Sequence, residues 1–360
     1  MTALQAAWDR GDAVLPVDQR LSPATKSAVL DHLAPTLVES PGGLGQRPGG
    51  RPVDPGDALV VATSGTTGVA KGVVLTHDAV AASASATSER LGVDPEIHRW
   101  LACLPLNHVG GLSVVTRSLL TGTAVTVLPF FDADEVRSQS GPDVLVSLVR
   151  TALQRVGAGI FHTVLLGGSP PPPDLAANVV TTYGMTESGS GVVYDGVPLD
   201  GVEVAIDSGS GEIKLRGPMF LRCYRDGTDP FDGEGWFRTG DSGRLDMAGR
   251  LAVDGRLSDL IITGGENVWP SAVEAALGSH PGVAEVTVAS RSDPEWGQKV
   301  VAWVVPVEPS DPPSLPALRE IVAERIAPFA APRELIIVAT LPHTSIGKVS
   351  RDRLPELPAP

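Results

Sequence analysis

Cysteine is nearly absent. Cys103 and Cys223 are the only two in 360 residues, too few for a disulfide framework or a thiolate zinc site. Lysine is scarce as well, found only at positions 26, 71, 214, 299 and 348. Arginine therefore carries most of the generic positive charge, and each lysine stands out as a compact ammonium. Positive charge is in overall deficit: Lys and Arg number 28 against 42 Asp and Glu, a formal charge of −14. That balance argues against a nucleic-acid partner, which requires a basic face. With 6 Trp, 3 Tyr and 7 Phe, there is also little material for a base-stacking surface. No apolar run approaches the roughly 18 residues that span a bilayer. The opening MTALQAAWDRGDAVLPVDQR lacks the basic start and unbroken apolar stretch of a secretory signal. The expectation is a cytoplasmic globular protein without stable membrane insertion. Its oligomeric state is not legible.

What is present is enough apolar residue, 42% of the chain, to bury more than one core. After a Pro/Gly tract at 41–56, short β-branched runs alternate with helical stretches: ALVVATSG (58–65), the alanine-rich helix 77–92, RWLACLPL (99–106), LSVVTRSLL (112–120), TAVTVLP (123–129), DVLVSLV (143–149) and TVLLGG (163–168). This alternation predicts an α/β fold with a largely parallel sheet. From about 196, short Gly- and Asp-punctuated strands predict a small β unit. SAVEAALGSH (271–280), two strands and SLPALREIVAERI then predict a small α+β domain. The expected domains are 1–257 and 258–360.

Five stretches carry candidate chemistry. Residues 63–72 hold Thr63, Ser64, Gly65, Thr66, Thr67, Gly68, Lys71 and Gly72, read as a loop between a strand and a helix. Its glycines permit close backbone approach, and its hydroxyls and N–H groups suit phosphate oxygens. It is not a Walker A loop, because Lys71 follows Ala70 and precedes Gly72. TTYGMTESGSG (181–191) offers Glu187 for a hard cation such as Mg²⁺ and Thr186 for a phosphate, although an ordinary helix cap reads similarly. GWFRTGD (235–241) places Asp241 in a glycine turn, able to take vicinal hydroxyls or to form a structural Asx-turn. PHTSIGKVSRDRL (342–354) carries Lys348 in a Gly-Lys turn, and a lone lysine there usually reads as a solvated tail charge. LPLNHVGGLSVVTR (104–117) carries His108 and an arginine within an apolar helix. A buried arginine needs an anionic partner, supplied by the protein or by a ligand.

Taken together, in order and spacing from residue 58 to 354, these stretches with GRLSDLI and GGENVWPSAVE resemble the adenylate-forming family of acyl- and aryl-CoA synthetases, luciferases and peptide-synthetase adenylation domains. The resemblance implies a large N-terminal α/β domain with a small β unit, and a small mobile C-terminal α+β domain. It implies the substrates ATP and CoA, with Mg²⁺. The 63–72 loop would hold the β- and γ-phosphates. Gly167, Gly168 and Ser169 would border adenine, and Tyr183 would stack on it. Thr186 would contact the α-phosphate, Glu187 the Mg²⁺, and Asp241 with Arg256 the ribose. Lys348 would bridge the attacking carboxylate and the α-phosphate. Gly264, Gly265 and Glu266 would line the thiol tunnel. Ser258 stands at the hinge, where relatives commonly carry Asp or Lys. Only 57 residues precede the strand before the phosphate loop, fewer than is usual for the family.

An arginine in the acceptor helix suggests an acid with a second anionic group. With the compact length, the His-Val-Gly-Gly…Thr-Arg run looks most like the branch of this family that acts on o-succinylbenzoate in menaquinone synthesis. His108 and Arg117 are then the substrate-binding candidates. The alternatives are another aryl- or acyl-CoA ligase, an adenylation module that loads a carrier protein, or a nucleotide-binding relative without activity.

Overall fold

The alternating runs of the first half assemble into a seven-stranded sheet. Its strand order is Val197–Pro198, Gly191–Tyr194, Val179–Gly184, Phe161–Leu166, Gly141–Leu148, Arg99–Ala102 and Ala124–Val127. The five strands from Val179–Gly184 onward pair in parallel. The two at the other end are antiparallel, so the parallel expectation holds for the sheet interior. The strands are buried on both faces, with Trp100, Leu101, Val144, Leu145, Val146 and Val164 fully inside, as crossover helices require. Residues 2–40, 42–63, 71–172, 174–343 and 349–355 are described in this computed structural model.

One expectation is corrected. The glycine- and hydroxyl-rich stretch does not join a strand to a helix. Asp57–Thr63 and Lys71–Thr76 pair antiparallel, with Thr63 opposite Lys71, and with Cys223–Tyr224 make a three-stranded sheet. KGVVLT is itself a buried β-branched run, with Gly72 to Leu75 all inside, so it extends as a strand before any helix can begin. The helix His77–Leu91 starts only after Thr76, whose side chain accepts a hydrogen bond from the Ala79 N–H. It packs against the helix Val109–Thr121.

By internal contacts the chain divides into two units. The first comprises 1–205, 214–238 and 249–251, and the second 206–213, 239–248 and 252–360. A four-stranded sheet, ordered Glu203–Ile206, Glu212–Arg216, Phe237–Leu245, Leu251–Arg256, supplies residues to both. The rest of the second unit is a five-stranded sheet centred on Gly297–Pro306, with the helices Pro270–Leu277 and Leu315–Arg325. Val273, Leu277, Val288, Val304, Leu318 and Val322 form its core. Among the described residues, no helix is long and apolar enough to cross a membrane.

Glu274 ties this second unit together. Its Oε1 accepts hydrogen bonds from Thr287 Oγ1 at 3.1 Å, the Val288 N–H at 2.8 Å and Arg351 Nη2 at 2.6 Å. Arg351 also donates through Nη1 to Asp259 at 2.9 Å. Glu274→Ala strips an acceptor from a buried N–H and from a half-buried guanidinium. Urea unfolding should show a loss of about 1–3 kcal/mol; a change below about 0.5 kcal/mol, the usual size for a surface substitution, would contradict this role.

Candidate active site

In parallel α/β sheets, ligands collect at the carboxyl ends of the strands. Four expected groups of residues arrive there. Gly167, Gly168 and Ser169 follow Phe161–Leu166, whose partner strand Val179–Gly184 carries Tyr183 and leads into the short turn Thr186–Ser188 with Glu187. Cys103–His108 follows Arg99–Ala102 and ends at the N-cap of the Arg117 helix. Tyr183, Thr186 and Glu187 are half-buried. Burial pushes the Cys103 thiol up to about 12, so it offers no thiolate nucleophile at neutral pH.

Two separated candidates meet here through a residue that sequence reading passed over. Tyr224 donates its phenol to Glu187 Oε1 at 3.0 Å. Lys71 Nζ stands 4.9 Å from the centre of the same ring. Glu187 is held again through its carbonyl, which accepts from the Leu221 N–H at 2.7 Å. Thr63 Oγ1 donates to the Lys71 carbonyl at 3.4 Å, closing the hairpin stem. Ser64, Gly65, Thr66, Thr67, Gly68 and Lys348 lie outside the described residues. A single carboxylate suits Mg²⁺, which is usually held by one or two protein carboxylates with phosphates and waters. Among the described residues there is no cluster of three or more His, Cys, Asp or Glu able to cage a metal by themselves.

The substrate candidates are the most unusual. Arg117 is 1% exposed and lies 4.6 Å over the Trp100 ring. Among the described residues its Nε and Nη1 have no hydrogen-bond partner. Burial pulls its pKa down, opposed by the phenol of Tyr194. With Leu75, Val80, Leu112, Ser113 and Thr116 it lines a cavity of about 10 Å³, room for a single water. His108 caps the same helix and is half-buried. It lies near Asp18, whose carboxyl is held below its ordinary range chiefly by hydrogen bonds from Arg20. Nine residues of helix separate His108 from Arg117, about 14 Å along the axis, so the two do not form one clamp.

In the second unit, Asp241 does not sit in a turn as expected. It is buried within the strand Phe237–Leu245, and the tight geometry belongs to Gly240, whose N–H donates to Glu212 Oε1 at 2.8 Å. Arg256 Nε lies 2.9 Å from Asp241 Oδ1, and its Nη1 donates to the Thr239 carbonyl at 3.0 Å. Gly264 and Gly265 form the exposed hairpin tip between Ile261–Thr263 and Glu266–Val268, and Glu266, also exposed, opens the second strand. Gly264 has φ +60°, and a Cβ there would lie 2.7 Å from the Trp296 ring. Ser258 is exposed in the short turn Leu257–Asp259 and donates to Asp259 Oδ1 at 3.1 Å.

Residues 9–225 match the family described as AMP-binding enzyme, and residues 272–348 match the AMP-binding enzyme C-terminal domain. The chain is 40% identical to the probable 2-succinylbenzoate–CoA ligase of Mycobacterium tuberculosis, over 95% of this chain and 94% of that one. Among solved structures it is similar to the o-succinylbenzoate CoA synthetase of Bacillus subtilis in complex with the acyl-adenylate intermediate. That match has a TM-score of 0.75 and 31% identity, over 87% of this chain and 72% of the other. The same Bacillus enzyme in complex with ATP and magnesium ion gives a TM-score of 0.74 and 32% identity, over 82% and 69%.

The Arg117 helix is seated by Gly111. A Cβ at that position would meet the Leu104 carbonyl oxygen at 2.4 Å and that of Pro105 at 2.6 Å, both backbone atoms that cannot swing away. Gly111→Ala should therefore lower stability by about 1–3 kcal/mol, the range for overpacking a tight site. A melting temperature equal to wild type would show that the 104–111 turn does not fix this helix.

Proposed function

The chain belongs to the AMP-binding enzyme family, and from that premise we propose that it activates o-succinylbenzoate with ATP to an acyl adenylate and passes the acyl group to CoA, releasing pyrophosphate and AMP. It is an AMP-forming acid–thiol ligase. The names of the mycobacterial and Bacillus relatives support the choice of acid. Within this chain, the supporting observation is Arg117, a buried guanidinium whose Nε and Nη1 lack partners among the described residues. The acid carries an aromatic carboxylate besides the succinyl carboxylate that is activated. In this reading the aromatic carboxylate is what Arg117 serves. The adjoining cavity has a volume of about 10 Å³, so one bridging water carries the contact.

The chemistry is a problem of anion crowding, because a carboxylate must approach a triphosphate. Lys71 and the 63–68 loop hold the β- and γ-phosphates, and Thr186 contacts the α-phosphate. Lys348 bridges the incoming carboxylate and the α-phosphate. Magnesium, when bound, acts as a Lewis acid on phosphate oxygens, and Glu187 is the side chain that holds it. Tyr183 stacks on adenine beside Gly167, Gly168 and Ser169. Asp241 accepts from the ribose hydroxyls while Arg256 keeps its carboxylate oriented. The carboxylate displaces pyrophosphate; the CoA thiol then attacks the acyl carbonyl, and AMP leaves. Gly264, Gly265 and Glu266 border the path of that thiol, and residues 258–360 act as a lid that turns at Ser258. The cytoplasm, which supplies ATP and CoA, is the proposed location.

The test is pyrophosphate release with o-succinylbenzoate and with an analogue whose ring carboxylate is replaced by hydrogen, each with and without CoA. Wild type should favour the diacid strongly. Arg117→Leu should raise the KM for the diacid about ten-fold or more, the worth of a charge-assisted contact, and leave the KM for ATP within about two-fold. Equal turnover of monoacid and diacid by wild type would sink the choice of acid and leave an acyl- or aryl-CoA ligase with another substrate.

A further inference from the structure

Lys71 and Glu187 pose an electrostatic problem that Tyr224 resolves. An ammonium and a carboxylate brought to one phosphate site attract each other, and a direct ion pair would occupy the groups needed by the ligand. Among the described residues, Lys71 and Glu187 form no ion pair with each other. Tyr224 engages both instead. Lys71 Nζ lies over its ring at 4.9 Å, and its hydroxyl donates to Glu187 Oε1 at 3.0 Å.

The ring is well placed to do this. Tyr224 pairs with Val73 across the strand that begins at Lys71. On either side of it, the Arg222 N–H donates to the Val74 carbonyl at 2.9 Å and the Arg225 N–H to the Gly72 carbonyl at 2.7 Å. A tight turn adds the Tyr224 N–H to the Thr228 carbonyl at 3.0 Å and the Gly227 N–H to the Tyr224 carbonyl at 2.8 Å. A tyrosine phenol, whose ordinary pKa is about 10, keeps its proton and remains a donor at neutral pH. The cation–π contact and the single phenol–carboxylate hydrogen bond, charge-assisted though it is, can each be exchanged or shared when a phosphate and a metal arrive.

We propose that Tyr224 is a positioning residue that keeps Lys71 and Glu187 apart and poised, the one for nucleotide phosphate and the other for the divalent cation that accompanies it. The inference rests on the proposed ligase reading. It adds a residue that touches neither the acid nor the reacting atoms.

Tyr224→Phe and Tyr224→Leu separate the two halves of this role. Calorimetry on the full chain would measure ATP binding without metal, and Mg²⁺ binding at saturating ATP. Tyr224→Phe keeps the ring beneath Lys71 but loses the hydroxyl. It should weaken Mg²⁺ binding about two- to ten-fold and leave metal-free ATP affinity within about two-fold. Tyr224→Leu should weaken both, because the lysine then collapses onto Glu187. An unchanged Mg²⁺ requirement in Tyr224→Phe overturns the role, as does equal weakening by Tyr224→Phe with and without metal, the mark of a merely structural residue. Wild type that binds no ATP under either condition overturns the ligase reading itself, and this role with it.

Discussion

A guanidinium 1% exposed, with Nε and Nη1 lacking hydrogen-bond partners among the described residues, is a constraint that the surrounding helix must accommodate. Its contact with Trp100 recovers about 2 kcal/mol or somewhat more, as for a desolvated cation on a ring. Burying an ion without a counter-charge costs several kcal/mol. Desolvation therefore wins, in keeping with the lowered pKa of Arg117. The rest of the helix is apolar or small from Gly111 to Val115 and buried throughout that stretch. Such a helix would be more stable with a hydrophobe at 117. In the proposed reading, its arginine is one half of a pair whose other half arrives with the substrate.

The remaining site residues obey the same logic of charge held ready. Lys71 and Glu187 sit on opposite parts of one tyrosine rather than on each other. Asp241 is oriented by Arg256 within a strand that buries its carboxylate. In the second unit, Glu274 and Asp259 grip Arg351, three residues beyond Lys348 in the chain. Fixed partners hold each of these charges in place, and in the proposed ligase that would leave little reorganisation for the reaction.

Much of this was legible in the amino-acid order, for reasons that are local. Runs such as DVLVSLV and TVLLGG can only be buried strands, and the residues that follow them fall at the ligand edge of a parallel sheet. The helix carrying Arg117 announces itself through its apolar length. What stayed hidden depends on pairing between distant segments. Nothing near RCYRDG says that Tyr224 will lie against a strand some 150 positions earlier, so its link to Lys71 and Glu187 was invisible. KGVVLT reads as the approach to a helix, because its partner, the strand before the loop, fixes it as a hairpin only in three dimensions. The strand position of Asp241 is hidden in the same way: glycine at 240 suggests a bend, yet the flanking residues pair with Glu212–Arg216 and continue the strand. Ser64–Gly68 and Lys348 rest on the family resemblance alone.

The central claim is that Arg117 is a partner held for the substrate's second carboxylate. Thermal melts of wild type and Arg117→Met, each titrated with o-succinylbenzoate, test it most directly. Without ligand the methionine variant should be the more stable, by about 1 kcal/mol or more, because a buried charge with no ion-pair partner among the described residues has been replaced by an apolar side chain of similar length. Saturating diacid should stabilise wild type by linkage and the variant far less, so that the order of melting temperatures reverses. A variant less stable than wild type at every concentration, with the same response to diacid, would mean that Arg117 is a structural residue and that the choice of acid lies elsewhere.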